Sequence, residues 1–537
     1  MKKIVSLLLA FVLVLAGCSS GSDTFTYTVT ANIESLDTVD ASYSQTFTLF
    51  ADVFMGAQTI DGEGNLADGG STSVEVSEDG LVYTIKLRED VKWVDNTGAE
   101  KGNVVAQDYV TAYQRMVNPD NASVYSYIFE PIQNATAISA GEKAVEELGV
   151  KALDDYTLEI TLDYVAPYFQ SMLAFQSFSP VATGAVEEFG EDYGTSAETT
   201  WYNGPYYVSE YDTAYIVSLK KNDLYFNADN VQVENIDLRV TEDSTARYNA
   251  FTNGEIDYGE IGSTEDYAAG KEAGVITDQM TGYSFYVTMN QAPEATTSNE
   301  NLRNALKYGF DRETILMNAS GEINKPIEYV IPADMTGAAY DGVEYRDYAG
   351  DSLITYDKEK ANKYFDAYMK DMGYTDRSQI EVEYLGTADG NGGNKPAEVI
   401  QAFYLQEFGI TVNLTIQPFE QMVESRKAGA FDFMATGWGP DYADPSTYLA
   451  LWQTSQIGAM NTVSYSNKEY DELFAKANVE QDTAKRFEMF AELEQMLVDD
   501  GVLIPFYQKN APYVLSEEYD LPIHLFFKIS HEYLTVK

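Results

Sequence analysis

The feature that most limits the fold is a regular alternation of helices and strands in the second half of the chain. There, amphipathic helical stretches are followed by short apolar runs typical of buried strands, and Gly373, Gly409 and Gly429 stand where three helices should end. The predicted elements are helices over 357–371, 395–408 and 419–428 and strands over 380–385, 410–417 and 431–435. Such alternation indicates βαβ units, so we predict a parallel sheet flanked by helices.

The remaining segments indicate a mixed α/β protein of several units. We predict further helices over 47–56, 107–117, 301–318, 467–477 and 483–499, and strands over 25–31, 74–77, 81–87, 156–162 and 502–507. The sequence Glu78-Asp79-Gly80 indicates a turn, so we predict that the strands 74–77 and 81–87 pair with each other across it. A chain of 537 residues exceeds a single hydrophobic core, and its one cysteine excludes an internal disulfide.

The N-terminus carries a targeting signal. Lys2 and Lys3 precede an apolar run, 4–16, that is too short to span a bilayer, and Leu15-Ala16-Gly17-Cys18 is typical of a bacterial lipobox. We predict a lipoprotein signal peptide over 1–18 with the lipid on Cys18, and a flexible polar tether over 19–24. The mature protein should be anchored to the extracellular face of a Gram-positive cell membrane without spanning it.

The charge of the chain restricts its partners. Its 85 acidic and 34 basic residues give a formal net charge of −51, and the acids are scattered rather than clustered. An acidic surface argues against binding nucleic acid or anionic lipid through a basic patch.

One stretch of the sequence has the pattern of a ligand-binding site. The predicted strand 431–435 ends at Gly437-Trp438-Gly439-Pro440, and Asp441 and Tyr442 follow directly. In open α/β sheets, ligands bind beyond the carboxyl ends of strands. A surface turn with a solvated aspartate is the alternative interpretation.

Several blocks in order resemble the bacterial oligopeptide-binding proteins, the extracytoplasmic receptors of peptide-importing ABC transporters. The blocks are GLVYTIKLREDVKWVD, AQDYVTAYQRMVNP, GVKALDDYTLEITLDYVAPYF, WYNGPYYVSEYDTAYIVSLKKNDLYFN, ARYNAFTNGEIDYG, NLRNALKYGFDRETI and GWGPDYADP. The resemblance extends from about residue 25 to the C-terminus and implies a two-lobed, periplasmic-binding-protein-like α/β fold with a hinge. It implies a first lobe of 25–60, 186–290 and 503–537, an inserted domain of 61–185, and a second lobe of 291–502.

The resemblance also implies a binding site and partners. Asp441 matches the aspartate that holds the ammonium group of the peptide N-terminus, with Trp438 and Tyr442 as pocket walls. The other matching positions are Phe419, Arg426, Tyr283, Phe285, Tyr286, Tyr125 and Tyr127. We therefore expect a monomeric, non-enzymatic receptor, without metal or cofactor, that captures extracellular oligopeptides and delivers them to permease subunits.

The sequence departs from the family where the peptide C-terminus is expected to bind. Ala435 and Thr436 stand where some members have an arginine, and the loop 389–395 lacks the histidine of such members. Lys395 is the candidate substitute in that loop. The sequence therefore does not determine the length of the peptides that bind.

Two other functions remain compatible with the sequence. One is a receptor of the same fold for a non-peptide solute. Nickel and haem are poor candidates for that solute, because the chain has only two histidines, His524 and His531. The other is a secreted hydrolase that uses Asp441 and Asp444 as acid and base.

Overall fold

The computed structural model describes residues 24–41, 43–333, 335, 343–388, 393–523 and 530–537. The predicted signal peptide, Cys18, most of the tether, residues 389–392 of the Gly/Asn-rich loop and His524 lie outside these ranges. The described part is a mixed α/β structure built on two large sheets and a separate four-stranded sheet.

The first large sheet has seven strands around the N-terminal one. In spatial order the strands are Tyr206–Asp212, Ile216–Lys221, Asn235–Val240, Thr24–Val29, Tyr258–Glu260, Tyr513–Leu515 and Ile276–Thr277. Thr24–Val29 runs parallel to both of its neighbours. Its buried residues, from Phe25 to Val29, explain its central place.

The second large sheet has six strands and carries the predicted site. Its spatial order is Lys325–Pro326, Leu503–Asn510, Met280–Met289, Phe433–Trp438, Glu381–Thr387 and Thr411–Gln417. The last three strands are parallel, as predicted from the helix–strand alternation. The sheet as a whole is mixed, because Met280–Met289 and Leu503–Asn510 join it antiparallel.

Most helices follow the sequence signals. The predicted bounds are matched by Lys395–Phe408 and Thr483–Asp499, and Lys358–Met372 begins after the capping residue Asp357 and ends at Gly373. The other helices of nine or more residues in the described ranges are Ser44–Val53, Ala106–Val117, Ser244–Thr252, Thr264–Ala273, Glu300–Tyr308, Arg312–Ser320, Phe419–Lys427 and Lys468–Asn478.

Some predicted elements were wrong in extent. The single helix over 301–318 is two helices, because the chain breaks at Gly309 and Asp311 caps a new helix by accepting the N–H of Thr314 at 3.1 Å. The strand predicted to end at Ala435 continues to Trp438, since six residues pair with Met280–Met289.

The segment 61–185 contains the four-stranded sheet. The strands Ser71–Val76 and Val82–Leu87 pair antiparallel across the predicted turn, where Gly80 has a φ of +72°. Thr157–Thr161 and Val150–Asp154 complete this sheet.

The chain crosses between the two large sheets twice, at adjacent places. One crossing follows Ile276–Thr277 and the other follows Leu503–Asn510. The N–H of Gln279 donates to Asn510 Oδ1 and the N–H of Ala511 donates to the carbonyl of Gln279, both at 2.8 Å. The lobe boundaries at 290 and 503 stay a prediction, and the strand pairing favours moving them to about 278 and 511.

Candidate functional site

The site is built on the turn that follows the strand Phe433–Trp438. Thr447 ties the turn together, because its Oγ1 accepts the indole N–H of Trp438 at 3.2 Å and the backbone N–H of Asp441 at 3.3 Å. Glycine is needed at 437 and 439, since a Cβ there would collide with the rings of Phe285 and Tyr283. The turn is thereby held against the neighbouring strand with the Asp441 side chain half-buried beside the cleft.

Tyrosines surround the Asp441 carboxylate. The hydroxyl of Tyr127 donates to Asp441 Oδ2 at 2.6 Å, a contact between residues 314 positions apart. Burial, followed by the negative charge of Asp441, raises the pKa of Tyr127, of Tyr125 and of Tyr283. The structure thus brings together four of the predicted residues from three distant parts of the chain.

A cleft between the two large sheets reaches this cluster. It has a volume of about 380 Å³ and begins at the carboxyl end of the central strand Thr24–Val29. Its lining includes Thr28, Thr30, Glu260, Tyr283, Phe285, Pro440 and Lys509. The ammonium of Lys509 lies 5.7 Å from the ring centre of Tyr283. Strand ends of both sheets therefore face one cleft, next to the turn that carries Asp441.

Asp444, on the same turn, has a different environment. Its side chain is fully buried, and Arg486 binds both of its oxygens, with Nη2 donating to Oδ1 at 2.9 Å. Arg486 Nε also donates to the carbonyl of Ala477 at 3.1 Å. Asp444 is engaged in holding the turn, and its burial leaves the hydrolase hypothesis without a second accessible carboxylate on residues 438–447.

A second contact joins the segment 61–185 to this turn. The ring of Tyr168 stacks on that of Tyr442 with centres 4.8 Å apart and an angle of 12° between planes. The guanidinium of Arg486 lies 5.5 Å from the ring centre of Tyr168. The sequence alone does not identify Tyr168 or Arg486 as residues of the site. Their signals are weak: an aromatic residue after Pro167 and one arginine in an acidic helix.

The remaining predicted residues are distributed differently. Phe285 stacks on Tyr507 with ring centres 4.6 Å apart and lines the cleft. Tyr286 points to the other side of the strand, where it is 3% exposed and packs on Trp452. The structure therefore does not bring Tyr286 to Asp441.

Phe419 and Arg426 lie on one helix and are not among the residues that contact Asp441. Phe419 is 60% exposed at the first position of the helix. Arg426 is partly buried, which lowers its pKa, and its charge acts on Tyr286. Lys395 begins another helix and lines a surface groove with Glu398 and Glu407, so it does not join the cluster either.

Neither a metal centre nor a membrane span is found in the ranges that the structure describes. No group of three or more His, Cys, Asp or Glu side chains there could hold a metal ion. His531 is buried and its Nδ1 lies 2.7 Å from Asp52 Oδ2. No described helix is both long enough and apolar enough to cross a bilayer.

Comparison with known proteins gives one consistent result. Residues 65–459 match the middle region of the bacterial extracellular solute-binding proteins, family 5. A dipeptide-binding protein of Lactococcus lactis is 28% identical over 519 residues, which cover 93% of this chain and 92% of that protein. The peptide-bound structure of Listeria monocytogenes OppA has a TM-score of 0.79 and 31% identity, covering 96% of this chain and 100% of that one. The substrate-binding domain of an oligopeptide ABC transporter from Bacillus anthracis has a TM-score of 0.80 and 29% identity, covering 96% and 99%.

Proposed function

The chain belongs to the bacterial extracellular solute-binding proteins of family 5, and from this premise we propose that it binds oligopeptides in the cleft and delivers them to the permease of an ABC importer. The observation that carries the proposal is the half-buried Asp441 carboxylate with three tyrosines around it. A carboxylate beside aromatic faces suits an ammonium group, which gains both a charge-assisted hydrogen bond and cation–π attraction.

The peptide N-terminus is the ammonium that fits this place. Asp441 pairs with it, while Tyr127 and Tyr283 contribute a hydroxyl and ring surface around it. Trp438 and Tyr442 stabilise the turn from either side of Asp441. Because every free peptide has this group, the contact does not depend on the peptide sequence.

The strand leading to the turn offers a place for the peptide backbone. One edge of Phe433–Trp438 pairs along its length with Met280–Met289, whereas its other edge pairs with Glu381–Thr387 only at Phe433. We propose that an extended peptide adds as a strand along residues 435–438, where main-chain hydrogen bonds would give affinity without reading side chains.

The C-terminus of the peptide has a different environment. Ala435 offers no charge, and its N–H donates to the hydroxyl of Tyr384 at 3.3 Å. Phe419 and Arg426 are proposed to contact more distant parts of a longer peptide. Lipidation of Cys18 would hold this monomeric receptor at the outer face of the cell membrane, next to its permease.

Native mass spectrometry of the mature chain in detergent, before and after denaturation, tests the proposal. We expect a ladder of co-purified peptide masses, and a titration in which free peptides bind and their N-acetylated forms bind far more weakly. A chain that carries no peptide, and that a peptide library does not stabilise against heat, would contradict the proposal and favour a non-peptide solute. Turnover of glycan or peptide substrates that is lost on Asp441→Asn would instead support the hydrolase.

A further inference from the structure

The helix Ser44–Val53 forms part of one wall of the cleft. Gln45 and Thr48 line it, and the Gln45 amide donates to Thr30 Oγ1 at 2.9 Å, just beyond the end of the central strand. Tyr27, on that strand, lines the same cleft. The position of this wall therefore depends on the contacts that hold the helix and the strand together.

His531 contacts both elements of the wall. Its backbone N–H donates to Asp52 Oδ1 at 2.9 Å, and its Nδ1 lies 2.7 Å from Asp52 Oδ2. Asp52 is in the last turn of the helix, and both side chains of the pair are fully buried. The imidazole also packs on the ring of Tyr27, with ring centres 5.1 Å apart. One buried side chain thus joins the helix to the strand, from a place 479 positions further along the chain.

The surroundings of Asp52 make His531 an important partner. Burial raises the pKa of Tyr27, Tyr206 and Glu532, and the negative charge of Asp52 adds to each shift. None of these three groups carries a positive charge. A buried carboxylate that loses its donor is strongly destabilised, so without the imidazole the end of the helix should move until Asp52 reaches water or another donor.

We propose that His531 is a positioning residue for peptide binding, which fixes this wall of the cleft through Asp52 and Tyr27. The inference rests on the proposed function, because it concerns the affinity for a peptide in the cleft. His531 is fully buried and does not line the cleft, so it acts only through its neighbours. Ligand contacts are precise only where the side chains that make them are held by packing and hydrogen bonds of their own.

The position of the wall should affect the whole peptide rather than its ammonium group. A free peptide and its N-acetylated form should therefore lose affinity by the same factor when His531 is replaced. This distinguishes His531 from Asp441, whose replacement should weaken the free peptide alone.

The test compares two replacements of His531 in the mature chain in detergent, titrated with pentaalanine and N-acetyl-pentaalanine. The titrations are made at a temperature where each variant keeps the circular dichroism of the unchanged protein. His531→Leu removes the donor to Asp52, and we expect both peptides to bind about tenfold more weakly. In His531→Asn the amide nitrogen takes the place of Nδ1 and donates to Asp52, so both affinities should stay within about threefold of those of the unchanged protein.

Tyr225→Phe is the matched control. The Tyr225 hydroxyl donates to Glu532 Oε1 at 3.1 Å, and Asn227 Nδ2 donates to the same oxygen at 2.8 Å. The variant thus disturbs the buried carboxylate next to His531, whose hydrogen bonds go to Tyr225 and Asn227 rather than to the helix. It should lower the melting temperature and leave both affinities unchanged.

A further variant covers the case in which His531→Leu does not fold. Asp52→Leu removes the carboxylate itself, so it leaves no unpaired charge in the core. It also removes both bonds to His531, and both peptides should again bind about tenfold more weakly.

The outcomes separate the inference from the proposed function. Unchanged affinities in His531→Leu or Asp52→Leu, an equal loss in His531→Asn, or an equal loss in Tyr225→Phe would overturn the positioning role and leave peptide binding intact. Failure of the unchanged protein to bind any peptide would overturn the proposed function and this inference together.

Discussion

Asp441 and Asp444 lie three positions apart on one turn, and the fold gives them opposite surroundings. Asp444 is fully buried and both of its oxygens bind Arg486, whereas Asp441 is half-buried at a cleft with the Tyr127 hydroxyl on Oδ2. A buried carboxylate with a bidentate arginine contributes to holding the structure, while a half-buried one beside a cleft can also contact a ligand. The role of each acid therefore follows from its burial and its partners, and not from its place in the motif.

The largest effect should come from breaking the buried pair. Arg486→Met leaves the Asp444 carboxylate buried without its guanidinium, so we expect the free energy of unfolding to fall by about 3–5 kcal/mol. Urea denaturation followed by circular dichroism measures it.

The double variant Arg486→Met with Asp444→Asn serves as the control, because it removes the uncompensated charge. It should recover part of the loss. A destabilisation below about 1 kcal/mol in the single variant would show that this pair does not hold the turn.

The second effect concerns the other carboxylate. Asp441→Ala should weaken binding of a free peptide by about 2–4 kcal/mol, because the ammonium loses its charged partner. Calorimetric titration measures this loss, and the free energy of unfolding should change by less than about 0.5 kcal/mol. An equal loss of affinity for the N-acetylated peptide would exclude the ammonium role.

The third effect concerns the contact between the segment 61–185 and the turn. Tyr168→Leu removes the ring that stacks on Tyr442, and aromatic pairs of this kind contribute about 0.5–1.5 kcal/mol. We expect peptide dissociation to become about three- to tenfold faster, measured by stopped-flow fluorescence. Tyr168→Phe keeps the stacking and should dissociate like the unchanged protein, whereas equal acceleration in both variants would remove stacking as the cause.

The smallest effect should come from the hydroxyl on Asp441. Tyr127→Phe removes one hydrogen bond and keeps the ring, so we expect a loss of affinity for free peptides of about 0.5–1.5 kcal/mol. Titration of the same peptide into both proteins measures it. A gain in affinity would instead mean that the hydroxyl competes with the ammonium for Asp441.

Local signals account for the elements that were predicted well. Lys395–Phe408 begins after Asn394, whose side chain accepts the N–H of Ala397, and it ends at Gly409 in the left-handed conformation. Caps and glycines of this kind act within a few residues, so they can be read from the sequence. The break at Gly309 was missed because the apolar pattern continues across it.

Side-chain direction along a strand was harder to predict. Phe285 and Tyr286 are adjacent aromatics in Met280–Met289, and the alternation of the strand sends one to the cleft and the other to the core. The sequence does not say which face is which, because both faces of this strand carry aromatic residues. Only the packing of Trp452 on one face decides it.

The sequence alone determined the α/β class, the family resemblance and Asp441 as the candidate ligand residue, since each depends on local pattern or motif. Three features depend on the folded structure: the buried pair of Asp444 with Arg486, the contact of Tyr168 with the turn, and a separate cavity beside Asp441. These contacts join distant parts of the chain: Tyr127 is 314 positions from Asp441, and Arg486 is 42 positions from Asp444. Burial and charge pairing are created by such contacts, and they exist only once the chain has folded.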